Sequence, residues 1–359
     1  MRIVIVGASG NAGTALLRRL HREGGHDLLG VVRRIPPSTE APYTGVAWHS
    51  IDIGAHSAVD RLAAVFAGAD AVIHLGWQIQ PSHDQRQLHR TNVLGSRAVL
   101  AAVVRAAVPA LVVASSVGVY APGPKDRLVG EDWPHTGVRG SSYSLHKAVV
   151  EAMLDRAEID HPGLRIVRLR PGLIFQQAAG TEIGRYFLGP LVPTGLLRFG
   201  RVPLVPTDPA LRLQAVHADD VADAYARAVT FGARGAFNVA ADPVLTPQLA
   251  AAMFHGRTVP VPGAALRAAA GLTWRLRLQP VDSGWVRLAL AAPLMSSDRA
   301  ATELGWRPQT DAAAALQELV DGLATHAHTV APPLSGGATM PGRPGGLLHG
   351  RLPGTGDPY

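Results

Sequence analysis

The sequence predicts an α/β fold, a doubly wound parallel Rossmann sheet with a smaller C-terminal substrate lobe. Three observations support this prediction. The chain opens on a short run of β-branched residues, Met1 to Val6, which is typical of a buried parallel strand. A glycine turn follows directly and leads into a helix-like segment, Thr14 to Leu20. Strand-like and helix-like segments then keep alternating, and this βαβ order predicts a parallel sheet.

The glycine turn after the first strand predicts a dinucleotide site. Its sequence places glycines in a G-x-x-G-x-x-G spacing, rather than the more common G-x-G-x-x-G. Glycines let the backbone approach a pyrophosphate closely, and the N–H groups at a helix start bind the anion. The position directly after a strand strengthens the motif. The candidate cofactor-binding residues of this turn are Gly7, Ser9, Gly10, Asn11 and Gly13.

The second predicted strand, Asp27 to Val32, bears on which cofactor binds. In an open α/β sheet the ligand lies at the carboxyl ends of the strands. Asp27 begins the strand and is expected at the opposite edge, whereas Arg33 and Arg34 follow its carboxyl end. A guanidinium fits a 2′-phosphate in bidentate fashion. The sequence therefore favours NADP(H), with NAD(H) possible; the alternative is that the two arginines are solvated residues of an arginine-rich chain.

Length and composition agree with a soluble enzyme. The chain has 359 residues, 47% of them apolar, and no cysteine, so disulfides and thiolate chemistry are excluded. The longest apolar stretch, Ala98 to Val113, is interrupted by Arg105, and the N-terminus leaves no room for a signal peptide. We therefore expect a cytoplasmic protein without a membrane or metal site. The net charge of +7 comes from scattered arginines, and with 5% aromatic residues no nucleic-acid partner is predicted.

The middle of the chain continues the alternation. Further strands are predicted at Ala69 to Leu75, which ends at Gly76, at Pro109 to Ala114 and at Gly163 to Leu169, with a long helix at Gln85 to Arg105 between the first two. Because the carboxyl ends of parallel strands share one edge of the sheet, Ser116 is expected at the same edge as the glycine turn.

Tyr143 and Lys147 form the most informative pair in the sequence. Of 34 basic residues only Lys125 and Lys147 are lysine, and arginine does not replace lysine where a compact ammonium must sit beside an ionising group. Residues at i and i+4 lie on one face of a helix. The cation is expected to lower the pKa of the tyrosine from about 10 toward neutrality, which suits proton exchange with a substrate oxygen. The alternative is a surface pair on an amphipathic helix.

From Met1 to about Pro308 the chain resembles the extended short-chain dehydrogenases/reductases, also called the NAD-dependent epimerase/dehydratase family. The resemblance rests on motifs spread along the chain: Gly7/Gly10/Gly13, Asp52-Ile53, His74-Leu75-Gly76, Asn92 to Gly95, Ser115-Ser116 with Val119-Tyr120, Tyr143/Lys147, Arg170-Pro171-Gly172, His217 with Asp219 and Asp220, and Leu304 to Pro308.

The resemblance implies roles for these positions. Ser116, Tyr143 and Lys147 match the catalytic residues, and Tyr143 and Lys147 would also contact the cofactor. The remaining cofactor-binding positions implied by the resemblance are Asp52 and Ile53 at the adenine, Leu75 and Gly76 at the middle of the cofactor, Asn92, and Pro171. A structural role is the alternative for Asn92 and the favoured interpretation of His217.

Departures from the family pattern narrow the reaction. Val117-Gly118 stands where sugar-nucleotide 4,6-dehydratases have an Asp-Glu pair, so a dehydratase is disfavoured. The Asn-Pro element typical of 4-epimerases is missing after Arg170. The prediction is therefore a hydride-transferring NAD(P)-dependent oxidoreductase of a carbonyl/alcohol pair with Ser-Tyr-Lys catalysis. A nucleotide-sugar epimerase with tightly bound NAD is the first alternative, and a non-catalytic NADP(H)-binding sensor is the second.

The predicted organisation has three parts. Residues 1–175 form the Rossmann domain, with returns to the sheet around 213–240, residues 176–330 are mainly the substrate lobe, and 331–359 are a disordered tail rich in Pro and Gly. In the resembled family, the helices that match Gln85 to Arg105 and the one beginning near Ser142 pair across a two-fold axis into a four-helix bundle, so a homodimer is expected. The expected ligand is a small-molecule substrate. The candidate substrate-site residues are Trp77, Gln78, Gln80, Phe175 and Tyr186.

Overall fold

The structure, a computed structural model, describes residues 1–188, 197 and 199–335. A seven-stranded, fully parallel sheet lies at its centre in the order β11-β7-β5-β4-β1-β2-β3. These strands are β1 (Arg2–Val6), β2 (Asp27–Val32), β3 (Ala47–Ser50), β4 (Ala71–His74), β5 (Ala110–Ala114), β7 (Arg165–Pro171) and β11 (Gly235–Val239). The predicted doubly wound Rossmann fold is confirmed.

The remaining strands form three small sheets. They are β6 (Leu128–Val129), β8 (Leu173–Phe175), β9 (Leu204–Thr207), β10 (Leu213–His217), β12 (Ala241–Leu245), β13 (Arg257–Pro260) and β14 (Leu294–Met295). The three-stranded sheet has the order β12-β10-β8, and β13 pairs with β9 as β14 does with β6. Of the stretch 213–240 predicted to return to the main sheet, only β11 does so, because β10 pairs with β8 and β12 instead.

The α-helices of the described residues are α1 (Asn11–Glu23), α2 (Ala58–Phe66), α3 (Gln85–His89), α4 (Gly95–Arg105), α5 (Ser142–Asp160), α6 (Gly180–Phe187), α7 (Ala218–Thr230), α8 (Pro247–Met253), α9 (Gly263–Arg275), α10 (Ser283–Ala291), α11 (Asp298–Glu303) and α12 (Ala312–Thr325). A π-helical turn, Arg90–Leu94, joins α3 to α4, so the predicted helix from Gln85 to Arg105 is present but irregular in the middle. In the part of the chain that is described, no helix has the length and apolar character needed to cross a bilayer.

Alternation along the strands divides the core between the two faces of the sheet. In β1, Ile3 and Ile5 pack with α1 and α7, whereas Val4 and Val6 pack with α2, α4 and α5. Successive side chains of a strand point to opposite faces, so a strand covered by helices on both sides must be apolar throughout. The continuous apolar run at the N-terminus therefore reflects burial on both faces.

The C-terminal boundary predicted at Ala331 lies too early. Ala331 and Leu334 are fully buried, and a 3-10 turn covers Pro332–Leu334. The backbone N–H of Thr329 donates to the carbonyl of Leu334 at 3.0 Å, and Arg185 donates to the carbonyl of Pro333 at 2.7 Å. The buried side chains of Ala331 and Leu334, together with these hydrogen bonds, attach the start of the Pro-rich segment to the rest of the protein. The rest of the predicted tail, 336–359, lies outside the described residues.

Candidate active site

One edge of the sheet gathers the predicted site residues. β1, β4, β5 and β7 run parallel, so their carboxyl ends bring together the glycine turn, Gly76, Ser116 and Pro171. Helix α5 begins at this edge, capped by Ser141, whose Oγ accepts from the backbone N–H of Ser144. Tyr143 and Lys147 lie in its first two turns.

Ser116 and Tyr143 meet across the turn that follows β5. The Oγ of Ser116 accepts a hydrogen bond from the backbone N–H of Gly118 at 3.0 Å, which fixes the hydroxyl at the start of a 3-10 turn. A Cβ at Gly118 would lie 2.8 Å from Cε1 of Tyr143, a distance that real contacts do not show. A larger residue at 118, such as the acid that dehydratases carry there, would therefore displace the tyrosine ring from this position.

The ammonium of Lys147 contacts a backbone carbonyl and an aromatic ring. Its Nζ donates to the carbonyl of Ala114 at 2.7 Å and lies 3.6 Å from the centroid of the Trp77 ring, a cation–π contact. Its distance to the centroid of the Tyr143 ring is 5.9 Å. Burial lowers the pKa of Lys147 to about 7, although the carboxylate of Glu151 acts in the opposite direction.

The expected lowering of the pKa of Tyr143 is wrong for this structure. Burial, which penalises the charged phenolate, raises the pKa of Tyr143 to about 12, and a hydrogen bond with Ser116 offsets only part of that effect. The i, i+4 spacing correctly places the lysine on the same helix face. It does not show that both side chains are buried and lose their contact with water. The neutral phenol is thus the form present near neutral pH.

A buried ion pair lies beside the segment that carries Tyr143 and Lys147. Glu151, one turn after Lys147, accepts hydrogen bonds from the Oγ of Ser115 and from Nε of Arg170, the latter at 2.8 Å. Burial opposes ionisation of Glu151, but the hydrogen bonds and charge of Arg170 outweigh it, so the pKa of the carboxyl is lowered. Arg170 also donates to the hydroxyl of Tyr120 at 3.0 Å. Breaking a buried pair of this kind typically costs about 3–5 kcal/mol, so this network fixes β5, β7 and α5 relative to one another.

The glycine turn fits a dinucleotide pyrophosphate. Gly7 has φ +88°, and a Cβ there would lie 2.7 Å from the backbone nitrogen of Gly76, so this position requires glycine. A Cβ on Gly10, by contrast, would meet only the carbonyl oxygen of Gly7, at 3.5 Å. Gly10 is the N-cap of α1 and has no side-chain cap. The N–H groups of the first helical turn, which includes Gly13, thus have no side-chain cap, and such groups are suited to bind an anion.

Polar contacts join the start of α1 to β8 and to the residue that follows it. Nδ2 of Asn11 donates to the carbonyl of Ile174 at 3.2 Å, and Nε2 of Gln176 donates to the carbonyl of Asn11 at 3.1 Å. Ser9, within the turn, is buried. Asn11 therefore has a defined structural task in addition to any contact with a cofactor.

The residues predicted to contact the ribose and the adenine follow the carboxyl ends of β2 and β3. Arg33 and Arg34 follow β2 directly, on the edge where Val31 pairs with Val6, whereas Asp27 pairs with Arg2 at the other edge. The carboxylate of Asp52 accepts from the backbone N–H of Gly54 at 2.9 Å and from Arg90 at 3.1 Å. Ile53 packs against Gly95 of α4, where a Cβ would approach its side chain to 2.7 Å.

Asn92 holds the backbone that follows Gly76. Its Oδ1 accepts from the N–H of Gln78 at 2.8 Å and its Nδ2 donates to the carbonyl of the same residue at 2.9 Å. Asn92 lies in the π-helical turn, an irregularity frequent at functional sites. Among the described residues, Nε1 of Trp77 and Oε1 of Gln78 are buried without a protein partner.

The candidate substrate residues have different surroundings. Trp77 contacts Tyr143 edge-on, with 6.0 Å between ring centroids, and Gln80 is buried. Phe175 packs in the small core formed with β10, β12 and α12, so its environment is that of a packing residue. The ring of Tyr186 lies against the guanidinium of Arg185.

Two aromatic residues at the site were not anticipated from the sequence. The Trp285 ring in α10 lies 4.8 Å from that of Tyr143, and Phe187 at the end of α6 packs against Trp285 at 5.1 Å. The chain contains only six tryptophans, so each tryptophan of the C-terminal lobe could have been considered as a candidate site residue. Nothing local in the sequence distinguishes Trp285 from a core residue.

His217 and its neighbours join the sheet to the C-terminal segment. His217 caps α7 by accepting from the N–H of Asp219, and its Nε2 lies 3.1 Å from the carboxylate of Glu318. The carboxylate of Asp220 accepts from the backbone N–H of Gln309 at 2.9 Å, and Trp306 donates to the Asp220 carbonyl at 2.8 Å. These contacts give His217 the structural environment predicted for it.

Comparison with curated proteins finds distant relatives. The chain is 28% identical over 224 residues to an uncharacterised protein of Mycobacterium tuberculosis (strain ATCC 25618 / H37Rv), covering 62% of this chain. It is 33% identical over 177 residues to the 2-alkyl-3-oxoalkanoate reductase of Stenotrophomonas maltophilia (strain K279a), covering 49% of this chain and 51% of the reductase. The matched part spans 57% of the length of the mycobacterial relative.

Comparison with solved structures finds the same fold. The UDP-glucose 4-epimerase of Thermus thermophilus, solved as a complex with NAD, superposes with a TM-score of 0.66 at 20% identity, over 90% of this chain and 99% of that chain. At this identity the similarity establishes the fold alone. The sequence profile described as "NAD dependent epimerase/dehydratase family" matches residues 3–240. The chain therefore belongs to the NAD-dependent epimerase/dehydratase family.

Proposed function

We propose that the protein is an NAD(P)(H)-dependent oxidoreductase that interconverts a carbonyl and an alcohol. The observation that supports this most directly is the meeting of Ser116 and Tyr143 at the sheet edge that also bears the uncovered helix N-terminus of the glycine turn. A nicotinamide cofactor bound there supplies or accepts the hydride. The reductase among the relatives is consistent with this reaction class.

The protein's own residues would act on the substrate oxygen. Ser116 and Tyr143 would donate hydrogen bonds to a carbonyl oxygen, and Tyr143 would pass its proton to that oxygen as negative charge develops. A phenol with a pKa of about 12 is protonated at neutral pH, which suits this direction of transfer. The ammonium of Lys147, one helical turn away, would stabilise the charge left on the phenolate.

The reaction class can be tested directly with the purified protein. We expect oxidation of NADPH or NADH when ketones or aldehydes are added, measured by loss of absorbance of the reduced nicotinamide. The supernatant of the heat-denatured protein should also be analysed for nicotinamide released from it. Stoichiometric NAD in that supernatant together with interconversion of UDP-glucose and UDP-galactose, and without carbonyl reduction, would replace this proposal with a 4-epimerase.

Arg33 and Arg34 suggest that NADP(H) binds more tightly than NAD(H). Both follow the carboxyl end of β2, where a 2′-phosphate would be recognised, and no carboxylate occupies that position in the sequence. Arg33→Ala is expected to weaken NADPH binding by about 1.5–3 kcal/mol and to leave NADH binding nearly unchanged. Calorimetric titration of both cofactors against both proteins measures this, and equal affinities in the wild type would contradict it.

The exposed side of α5 suggests a homodimer. Leu145 and Val149 are 39% and 45% exposed and are one turn apart, and Leu94, before α4, is 41% exposed. Apolar side chains on one helical face at this spacing are suited to an isologous helix interface. We expect light scattering to give a dimer mass at micromolar concentration and Val149→Glu to shift it toward the monomer. A monomer mass for the wild type would rule the dimer out.

A further inference from the structure

The ring of Tyr143 belongs to a series of four aromatic side chains from four separate segments. Trp77, after β4, meets it edge-on at 6.0 Å, and Trp285 of α10 lies across it at 4.8 Å. Phe187, at the end of α6, packs edge-on against Trp285 at 5.1 Å. All four rings are half-buried, so part of each remains accessible. We call Trp77, Trp285 and Phe187 the aromatic wall.

The surroundings of the wall are apolar as well. Tyr143 and Trp285 pack with Val117, Val138 and Leu288 in one small hydrophobic cluster. The hydroxyl of Ser116 and the ammonium of Lys147 are polar groups at this point, and the proposed chemistry uses both at the reacting oxygen and at the phenol. The ring of Tyr143, which carries the proposed proton donor, is thus packed against aromatic rings and aliphatic side chains.

This composition favours one class of substrate. An aromatic contact contributes about 0.5–1.5 kcal/mol beyond the area it buries, so flat apolar rings gain most from such a wall. Hydroxyl groups buried against apolar side chains lose hydrogen bonds to water, at a cost of about 1–3 kcal/mol each. A pyranose ring presents several hydroxyls, whereas a ring ketone presents only its carbonyl oxygen, which Ser116 and Tyr143 would receive.

We infer that the substrate is an apolar carbonyl compound with a flat aromatic or fused ring next to the carbonyl, and that Trp285 determines this preference. The inference rests on the proposed function of the same site. In the reaction the carbonyl carbon accepts the hydride of the reduced nicotinamide cofactor, and the carbonyl oxygen accepts the proton of Tyr143. The phenolate regains a proton from solvent, so a ketone, a proton and reduced cofactor give an alcohol and oxidised cofactor.

Two ketones with the same number of carbon atoms provide the test. β-Tetralone has a fused flat ring and methyl octyl ketone has an open chain. UDP-glucose has no ketone to reduce, so it serves as the polar comparison in the oxidative direction, with NADP⁺ or NAD⁺. We expect kcat/KM to be about tenfold higher or more for β-tetralone, which corresponds to two or three aromatic contacts. Trp285→Ala should raise KM for β-tetralone about three- to tenfold and change KM for methyl octyl ketone less than about twofold.

Two control variants separate the wall from general effects on folding. Trp285→Phe keeps an aromatic ring and should retain most of the preference. Trp274→Ala removes a half-buried tryptophan of the same lobe whose ring stacks on His83, 3.9 Å between centroids, and it should leave the preference unchanged. Melting temperature and cofactor affinity of every variant show whether the fold is intact.

A binding measurement keeps this inference distinct from the proposed function. β-Naphthol is flat and cannot be reduced, and calorimetric titration in the presence of NADPH should show that Trp285→Ala weakens its binding several-fold. If no carbonyl is reduced but β-naphthol binds in this way, the proposed reaction is wrong and the wall remains a site for flat ligands. Equal β-naphthol affinity in wild type and Trp285→Ala, or preferential turnover of methyl octyl ketone or UDP-glucose, would overturn the inference.

Discussion

Tyr143→Phe is expected to lower kcat by about 10²–10⁴-fold, the usual effect of losing a positioned acid or base. The substitution removes the hydroxyl and keeps the ring that packs against Gly118 and between Trp77 and Trp285. Cofactor affinity and melting temperature should therefore stay near the wild-type values. The measurement is single-turnover reduction at saturating cofactor, with a ketone that the wild type reduces.

A second Tyr→Phe variant serves as the matched control. Tyr225 is fully buried in α7, and within the described residues its hydroxyl has no hydrogen-bond partner. Tyr225→Phe should leave kcat within about twofold, because it deletes a hydroxyl that makes no such bond. If Tyr143→Phe retains most of the wild-type turnover, Tyr143 is not the proton donor, and the non-catalytic dinucleotide sensor becomes the better explanation of the fold.

The fold and the edge that holds the site were predictable because they depend on local patterns. Continuous apolar strands separated by helices specify a parallel sheet, and parallel strands place Ser116 beside the glycine turn whatever the details of packing. The same holds for Tyr143 and Lys147, whose spacing fixes one helix face. These conclusions required only the order of elements and the direction of strands.

The environment of those residues was not predictable, because it depends on segments far away in sequence. Lys147 finds its acceptor on β5 and its aromatic neighbour after β4, so the helical spacing alone gave the wrong direction for the pKa of Tyr143. Trp285 comes from a lobe where helical and strand periodicity fades. Glu151 does follow Lys147 at a helical interval, but its partners are Ser115, directly after β5, and Arg170, in β7.

Lys147 is expected to be nearly as important to turnover as Tyr143. Its ammonium lies between the carbonyl oxygen of Ala114, 2.7 Å from Nζ, and the face of the Trp77 ring. A guanidinium is planar and larger than an ammonium, so Lys147→Arg should lower kcat about 10²-fold although the charge is kept. Lys147→Ala removes the charge and should lower kcat by at least as much.

The pH dependence distinguishes the charge of Lys147 from its shape. Burial lowers the pKa of Lys147 to about 7, so the ammonium is present below that pH and is lost as the pH rises through it. The wild-type rate of carbonyl reduction should therefore fall above about pH 7, since the phenolate forming on Tyr143 loses its stabilising cation. Arginine keeps its charge beyond about pH 12, so the slow Lys147→Arg variant should lack this decrease. Lys147→Ala should lack it as well, and a decrease near pH 7 that persists in both variants would assign the titration to a different group.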